Sequence, residues 1–248
     1  MGTSPITAPD GLSQSTISSV GIGLSALACV LAGVVWFFDS SLSPRLFAGL
    51  ELVAAVLPWV VVWMQARWPE LVNVMGDKAD PRSNMTFVFF GSGFAMLATL
   101  LPNLQIDDML KLGEIATIPA LVLAVALYKA SPSSPNKLTK SLTVLILAAL
   151  YGYGVTQQAD TLLDKSAAQN YTTQVVRKTY STGRHSHYYL YLNPWGPMSS
   201  GERASVKHSF YDSVAEGSSV CITAQDGALK VGWHTVHACE RVLLPAAF

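Results

Sequence analysis

The sequence predicts an α-helical membrane bundle of about five transmembrane helices, followed by a small C-terminal all-β domain, a barrel or sandwich of about five strands. Hydrophobic residues make up 50% of the 248 residues, and charged residues only 13%, about half the usual share. Apolar segments dominate the first 155 residues, whereas Tyr, Thr and Val alternate with polar residues from about residue 170. The 16 basic and 16 acidic residues cancel. Together with the low charged share and the high hydrophobic share, this argues against a disordered chain, a nucleic-acid-binding protein and an ordinary soluble enzyme.

Five apolar segments are candidates for membrane spans. Crossing a bilayer takes ~20 residues, with a range of ~17–25. Residues 17–38 and 46–65 reach that length, and the second of these contains a single charge, Glu51. The last three segments are at or below the short end, so each could instead be a buried or re-entrant helix. They are residues 85–101, 112–128 and 142–155.

The chain is expected to divide into four parts. Residues 1–16 form a flexible polar tail, and because residues 1–17 lack Lys and Arg, a cleaved signal peptide is not expected. Residues 17–155 form the transmembrane helical domain, and residues 156–169 an amphipathic juxtamembrane stalk. Residues 170–248 form the β domain.

Lys and Arg in the short loops predict the orientation. With five spans, the loops on the side of the amino terminus carry six of these residues and the opposite loops two. The chain is therefore expected in a bacterial inner membrane, with its amino terminus in the cytoplasm and its β domain periplasmic or extracellular. The six are Arg67, Lys78, Arg82, Lys129, Lys137 and Lys140, and the two are Arg45 and Lys111.

A stripe of small residues follows one side of the first span. Gly21, Ser25, Cys29 and Gly33 are spaced four apart, so in a helix they lie on one face and allow close backbone approach. The pattern predicts a helix–helix contact, either within the chain or between subunits. Chance is the competing explanation, because small residues are common in such spans.

Glu51 is the only ionisable residue well inside a span. A charge at the bilayer centre costs ~2.5–3.5 kcal/mol on the mildest scale, so such residues are candidates for function. Glu51 lies near the edge of its segment, where it could reach the surface, take up a proton or meet an internal polar group. A small transporter or channel using Glu51 is therefore an alternative function.

Five strands and one helical turn are expected in the β domain. Turn residues separate runs rich in β-branched and aromatic side chains. The expected strands are residues 171–180, 187–192, 204–208, 220–224 and 228–233, with a helical turn at 209–212.

Asp226-Gly227 predicts a tight hairpin between the last two strands, because this dipeptide favours a two-residue turn. That register pairs Ile222 with Val231 and Val220 with Trp233 on one apolar face. It places His234 on the opposite, polar face.

Cys221 and Cys239 are the only cysteines of the β domain. Outside the cytoplasm two such cysteines are plausible disulfide partners, and the loop that they close would contribute about 3 kcal/mol. The alternative is two free thiols in a cytoplasmic domain.

All five histidines fall in the β domain. In the second strand His187, Tyr189 and Tyr191 share a face opposite the leucines, and His185 extends it. Exposed tyrosine beside histidine is typical of interfaces, so these four residues are the candidate binding surface. Coverage of this face by a second sheet or by the stalk is the competing explanation. Histidine-based zinc or copper binding is a further alternative, although three or four convergent ligands are not assured.

No catalytic motif such as GxSxG, a Walker loop or HExxH occurs in the sequence, and no cofactor is expected. The leading hypothesis is a non-enzymatic membrane protein whose exported β domain binds a partner protein, as an assembly subunit, a sensor or an immunity-type protein. The expected partners are the lipid bilayer and either a protein or further copies of this chain, not nucleic acid.

Overall fold

A computed structural model describes residues 13–38, 43–74, 83–98, 103–130, 137–181 and 186–239. The chain forms two compact units, Met1–Ala98 with Leu112–Gln158, and Thr99–Lys111 with Ala159–Phe248. The first is a helical bundle, and the second is a C-terminal antiparallel sheet nearly closed into a barrel. The predicted fold class is therefore confirmed.

The described residues of the bundle form five helices. Four of them are long and apolar enough to cross a membrane, which is compatible with a membrane protein. The third predicted span forms a helix of only 11 residues, about 16 Å long. The helices are α1 (Gln14–Phe38), α2 (Pro44–Arg67), α3 (Thr86–Met96), α4 (Met109–Ala130) and α5 (Lys137–Leu162).

The short helix α3 still leads from one end of the bundle towards the other. It runs parallel to α1, because its contacts with α1 advance in the same order along both helices: Met85, just before α3, lies by Gly21, and Gly91 lies by Ala28. Near the carboxyl ends of both helices, the Trp36 indole donates a hydrogen bond to the Phe94 carbonyl at 2.7 Å. The third apolar segment thus leads the chain in the direction that a third span would take.

A side chain of α5 supplies hydrogen bonds to the backbone carbonyls at the carboxyl end of α3. The amide nitrogen of Gln158 donates to the carbonyl oxygen of Met96 at 3.1 Å and to that of Ala98. These three residues are buried, and an unpaired carbonyl in a nonaqueous environment is costly. The Gln158 amide therefore lets so short a helix end inside the bundle.

A small parallel ladder precedes α3, between β1 (Val72–Asn73) and β2 (Ser83–Asn84). The Gln65 side-chain oxygen accepts a hydrogen bond from the Val74 amide at 3.2 Å, and the Thr86 hydroxyl donates to the Val74 carbonyl. These bonds satisfy non-helical backbone among buried residues.

The small-residue stripe of α1 does not pack within the chain along its whole length, so a contact between subunits stays a prediction. A Cβ on Gly21 would meet the Met85 side chain at 3.0 Å, but one on Gly33 would meet nothing within 4 Å. Cys29 is exposed. Gly21, Ser25 and Cys29 instead line a groove of about 370 Å³, because the close approach of α3 falls on Ala28, on a neighbouring face of α1.

Within the part of the second unit that the structure describes, the strands form one six-stranded sheet. All neighbouring strands are antiparallel, in the order β3-β8-β7-β4-β5-β6. Strand β3 comes from the segment between α3 and α4, where no strand is predicted. The strands are β3 (Leu104–Ile106), β4 (Gln169–Ser181), β5 (His187–Leu192), β6 (Glu202–Val206), β7 (Ser219–Gln225) and β8 (Trp233–His237), and the short helix α6 is His208–Ser213.

Side-chain amides of the β3 segment bridge to β6 and nearly close the sheet. Gln105 exchanges two hydrogen bonds with the backbone of Ser205, donating at 2.8 Å and accepting at 3.3 Å. The Asn103 oxygen accepts from the Lys207 amide at 2.8 Å. The two edge strands are thereby covered without a continuous backbone ladder.

The interior of the curved sheet is apolar and follows the period of two expected of strands. In β5, Leu190 and Leu192 are buried, as the sequence predicts. The buried core residues are Val175, Leu190, Leu192, Trp195, Ala204, Val206, Val214, Val220, Ile222 and Val236.

The predicted Asp226-Gly227 hairpin register is wrong. Gln225 pairs with Trp233 and Ile222 with Val236, so residues 226–232 form a longer loop. Val231 is buried but lies in that loop, and His234 moves to the interior face beside Val236.

Two carboxylates from the end of α5 and the residues after it hold this loop. Asp160 accepts a hydrogen bond from the Leu229 amide at 2.7 Å. Asp164 accepts from the Gly227 amide at 3.0 Å and from the Trp233 indole at 3.1 Å. The loop amides thus bind these carboxylates instead of pairing across a tight turn, which explains the longer loop.

Cys221 and Cys239 form the predicted disulfide, with their Cα atoms 4.7 Å apart. The register explains the bond. Cys221 lies opposite His237, so the chain continues for only two residues before Cys239 and does not need to bend back.

Candidate binding surface

The outer face of β4, β5 and β6 brings two tyrosines and two arginines together. Tyr191 lies between Arg177 on β4 and Arg203 on β6, and Tyr189 is the next residue of β5 on the same face. We call Arg177, His187, Tyr189, Tyr191 and Arg203 the Tyr-Arg face.

A bulge in β4 places Arg177 on this face. Val175 is buried, so strict alternation would turn Arg177 inward as well. The register shifts between these two residues, and the extra residue turns Arg177 outward. The next residue, Lys178, then lies on the inner side, where its ammonium donates to carbonyls around α6.

Each arginine lies over a tyrosine ring. The guanidinium carbon of Arg177 is 4.4 Å from the centre of the Tyr191 ring, and that of Arg203 is 4.6 Å from the Tyr189 ring. His187 continues the row, 6.4 Å from Tyr189 between ring centres. The tyrosines are half-buried, whereas the arginines and His187 are exposed. The described residues place no second sheet over this face.

The Tyr-Arg face is electropositive. Neither Arg177 nor Arg203 forms an ion pair with a carboxylate in the described part of the chain. The pKa of the Tyr191 hydroxyl is lowered, first by hydrogen bonding to Thr179 and then by the two arginines. A face with this charge favours anionic groups.

The sequence predicted the histidine and tyrosines of this face but neither arginine. The alternation of β5 placed His187, Tyr189 and Tyr191 together, whereas the arginines depend on the bulge and on strand order. His185 lies outside the described residues. The binding role of this face stays a prediction.

A second polar group, His234, is buried inside the barrel. Its Nδ1 atom is 2.6 Å from Asp107 of the β3 segment, and its Nε2 atom is 2.9 Å from Glu202 of β6. The first contact is a hydrogen bond; the second is an ion pair without hydrogen-bond alignment. The Trp195 ring packs edge-on at 4.7 Å.

Charge balance keeps His234 protonated. Burial alone would lower the pKa of His234, but Asp107 and Glu202 outweigh it and raise the pKa to about 9. The buried imidazolium therefore ties β8 to both edges of the sheet. Sequence reasoning missed this cluster because 127 residues separate His234 from Asp107, and no local pattern joins them.

The other described histidines do not converge on a metal site. His208 pairs with Asp212 at 3.0 Å in an exposed contact, and His237 lies 2.9 Å from the Thr223 hydroxyl. The described residues contain no group of three or more His, Cys, Asp or Glu side chains able to hold a metal ion.

Glu51 is buried in the bundle, with 2% of its surface exposed. Within the described part of the chain, neither carboxylate oxygen has a hydrogen-bond partner. Glu51 therefore does not reach the surface of the bundle. A transport role for it stays a prediction.

The fold defines a helical bundle compatible with a membrane, joined to a barrel-like C-terminal domain with a cationic aromatic outer face. No protein-family model, curated protein or solved structure matches this chain.

Proposed function

We propose that this chain is a non-enzymatic membrane protein whose β domain binds a partner protein through the Tyr-Arg face. The observation that carries the proposal is the packing of two exposed arginines on two half-buried tyrosines. An assembly subunit, a sensor or an immunity-type protein would each use such a face.

Tyr and Arg are the residue types that most often dominate interface energetics. Tyrosine offers a large apolar ring and a polar tip at little cost in side-chain entropy. Because the guanidinium groups already lie on the rings, a partner would meet a partly ordered surface, which lowers the entropy cost of binding.

We place the protein in a bacterial inner membrane, with the amino terminus in the cytoplasm and the β domain outside. The loop charges support this orientation, and so does the disulfide, because such bonds persist in oxidising compartments. A phosphatase reporter fused after Phe248 should be active and a fluorescent protein that needs the cytoplasm should be dark. The opposite pattern would reject the orientation.

Alanine at Tyr189 or Tyr191 should weaken partner capture by roughly 1–2 kcal/mol each, because each change removes a central aromatic contact. The full chain would be extracted gently in detergent, and stoichiometric partners identified and titrated back. Thermal stability of the β domain would be measured on the same samples.

Tyr180→Ala is the matched control. Tyr180 is equally large and 61% exposed, but it lies on the opposite side of the sheet, beside Tyr188. Capture should survive this change. Equal losses of capture and stability at positions 189 and 191 would mean that these tyrosines are structural, and a second copy as sole partner would make the face a homo-oligomer contact.

A further inference from the structure

The two arginines of the Tyr-Arg face lie over tyrosine rings and have no carboxylate partner among the described residues. Hydrogen bonding to the Tyr191 hydroxyl uses only part of their donor capacity. A guanidinium group carries five N–H donors in its plane. Stacking on a ring uses the flat face of the group, so the edge can still bind a carboxylate in a bidentate manner. Arg177 and Arg203 are both exposed and both unpaired with carboxylates among the described residues.

The spacing of the arginines suits an extended acidic chain. They belong to β4 and β6, on either side of β5, so their backbones lie ~10 Å apart. In a peptide with the extended polyproline II conformation, which has three residues per turn, residues three apart lie on the same side and are ~9 Å apart. Two carboxylates at that spacing can therefore reach both guanidinium groups at once, while the residues between them cross the tyrosine rings.

We propose that the partner contacts this face with an extended acidic segment, whose carboxylates bind Arg177 and Arg203 and whose backbone crosses Tyr189 and Tyr191. This inference rests on the proposed function and adds the chemistry of the partner. The other paired positions of this face are Thr179, Ser181 and Ser205, none of which is acidic. Glu216 lies at the edge of β4, where its carboxylate accepts a hydrogen bond from the Lys178 amide at 2.7 Å.

A lipid surface fits these observations less well. Each basic residue near an anionic membrane contributes only ~1 kcal/mol, so two arginines alone bind lipid weakly. Stable binding in the interface also needs apolar side chains that enter the acyl region, and the face presents tyrosine rings partly covered by arginine.

The test uses the full chain in nanodiscs of zwitterionic lipid and a fluorescent peptide of four Glu-Ala-Ser repeats. The Gln-Ala-Ser peptide of equal length is the neutral control. The acidic peptide should bind, and its affinity should fall with added salt. Arg177→Gln or Arg203→Gln should lower that affinity about tenfold or more, the loss expected from one charged hydrogen-bonded contact. Arg177→Lys should restore only part of the loss, because lysine keeps the charge without the planar fork.

Lys165→Gln is the charge-matched control. Lys165 is exposed and lies in the segment before β4, outside the Tyr-Arg face, so its loss should leave peptide affinity unchanged. Equal binding of both peptides, absence of acidic-peptide binding, or an equal loss with Lys165→Gln would overturn the inference. The inference would also be overturned if the protein bound phosphatidylglycerol vesicles instead of the peptide and the arginine variants abolished that binding. The face would then be a lipid-binding site.

The outcomes also separate this inference from the proposed function. Loss of partner capture with Tyr189→Ala, but not with Arg177→Gln or Arg203→Gln, would keep the partner-binding role and reject the acidic segment. Loss with neither set would reject both.

Discussion

His234→Leu is expected to destabilise the β domain by about 3–5 kcal/mol, the usual cost of removing one partner from a buried ion pair. The variant would leave Asp107 and Glu202 without their shared cation inside the barrel. Their side chains are only 22% and 19% exposed, so water compensates them poorly. The effect is measured as the shift in the urea midpoint of the β domain. Unfolding is detected by limited proteolysis of the full chain in detergent.

His208→Leu is the control for this substitution. The ion pair of His208 with Asp212 is about 60% exposed on both sides, and exposed pairs contribute little. A similar shift of the urea midpoint in both variants would contradict the account of the buried cluster.

The same cluster predicts that the β domain loses stability in alkaline solution. Because folding raises the pKa of His234 from 6.5 to about 9, its contribution is complete below pH 6.5 and disappears as the pH rises through 9. The contribution is about 3 kcal/mol, at ~1.36 kcal/mol per pH unit. The His234→Leu variant should lack this loss between pH 6.5 and 9.

Gly91→Leu is the second large effect expected, with a loss of roughly 1–3 kcal/mol or more from overpacking. A Cβ at this position would lie 2.7 Å from the Ala28 carbonyl carbon and 2.9 Å from its Cβ. The carbonyl carbon is backbone and the Cβ is bonded directly to backbone. Neither atom can rotate away, so α1 and α3 would have to move apart. Thermal unfolding of the bundle in detergent measures the change.

Gly33→Leu is the matched control, because a Cβ there meets nothing within 4 Å. The bundle should keep its thermal stability with this change. If Gly33→Leu proved as damaging as Gly91→Leu, position 33 would belong to a contact between subunits.

Much of the fold could be predicted because hydrophobic period and segment length are local signals. They located the bundle, the C-terminal β domain and the buried leucines of β5. Segment length alone could not show that the predicted third span forms only the short helix α3. The hydrogen bonds to its last carbonyls come from Trp36 and Gln158, which are far away in sequence.

The wrong hairpin register shows that a local turn signal does not determine strand pairing. Asp226-Gly227 does favour a tight turn, but Asp160 and Asp164 bind the amides of this loop and impose another register. That register turns His234 inward, so the buried cluster could not be predicted either. Strand β3 was missed because three residues are too few to show an alternating pattern.

The most direct test of the partner-binding role is photo-cross-linking of the full chain in native membranes. A photoreactive phenylalanine analogue at position 189 should yield one discrete adduct with an identified protein, and Arg177→Gln with Arg203→Gln should reduce it. The same analogue at Tyr180, on the opposite side of the sheet, should yield none. No adduct from position 189, or the same adducts from both positions, would contradict a partner-binding Tyr-Arg face.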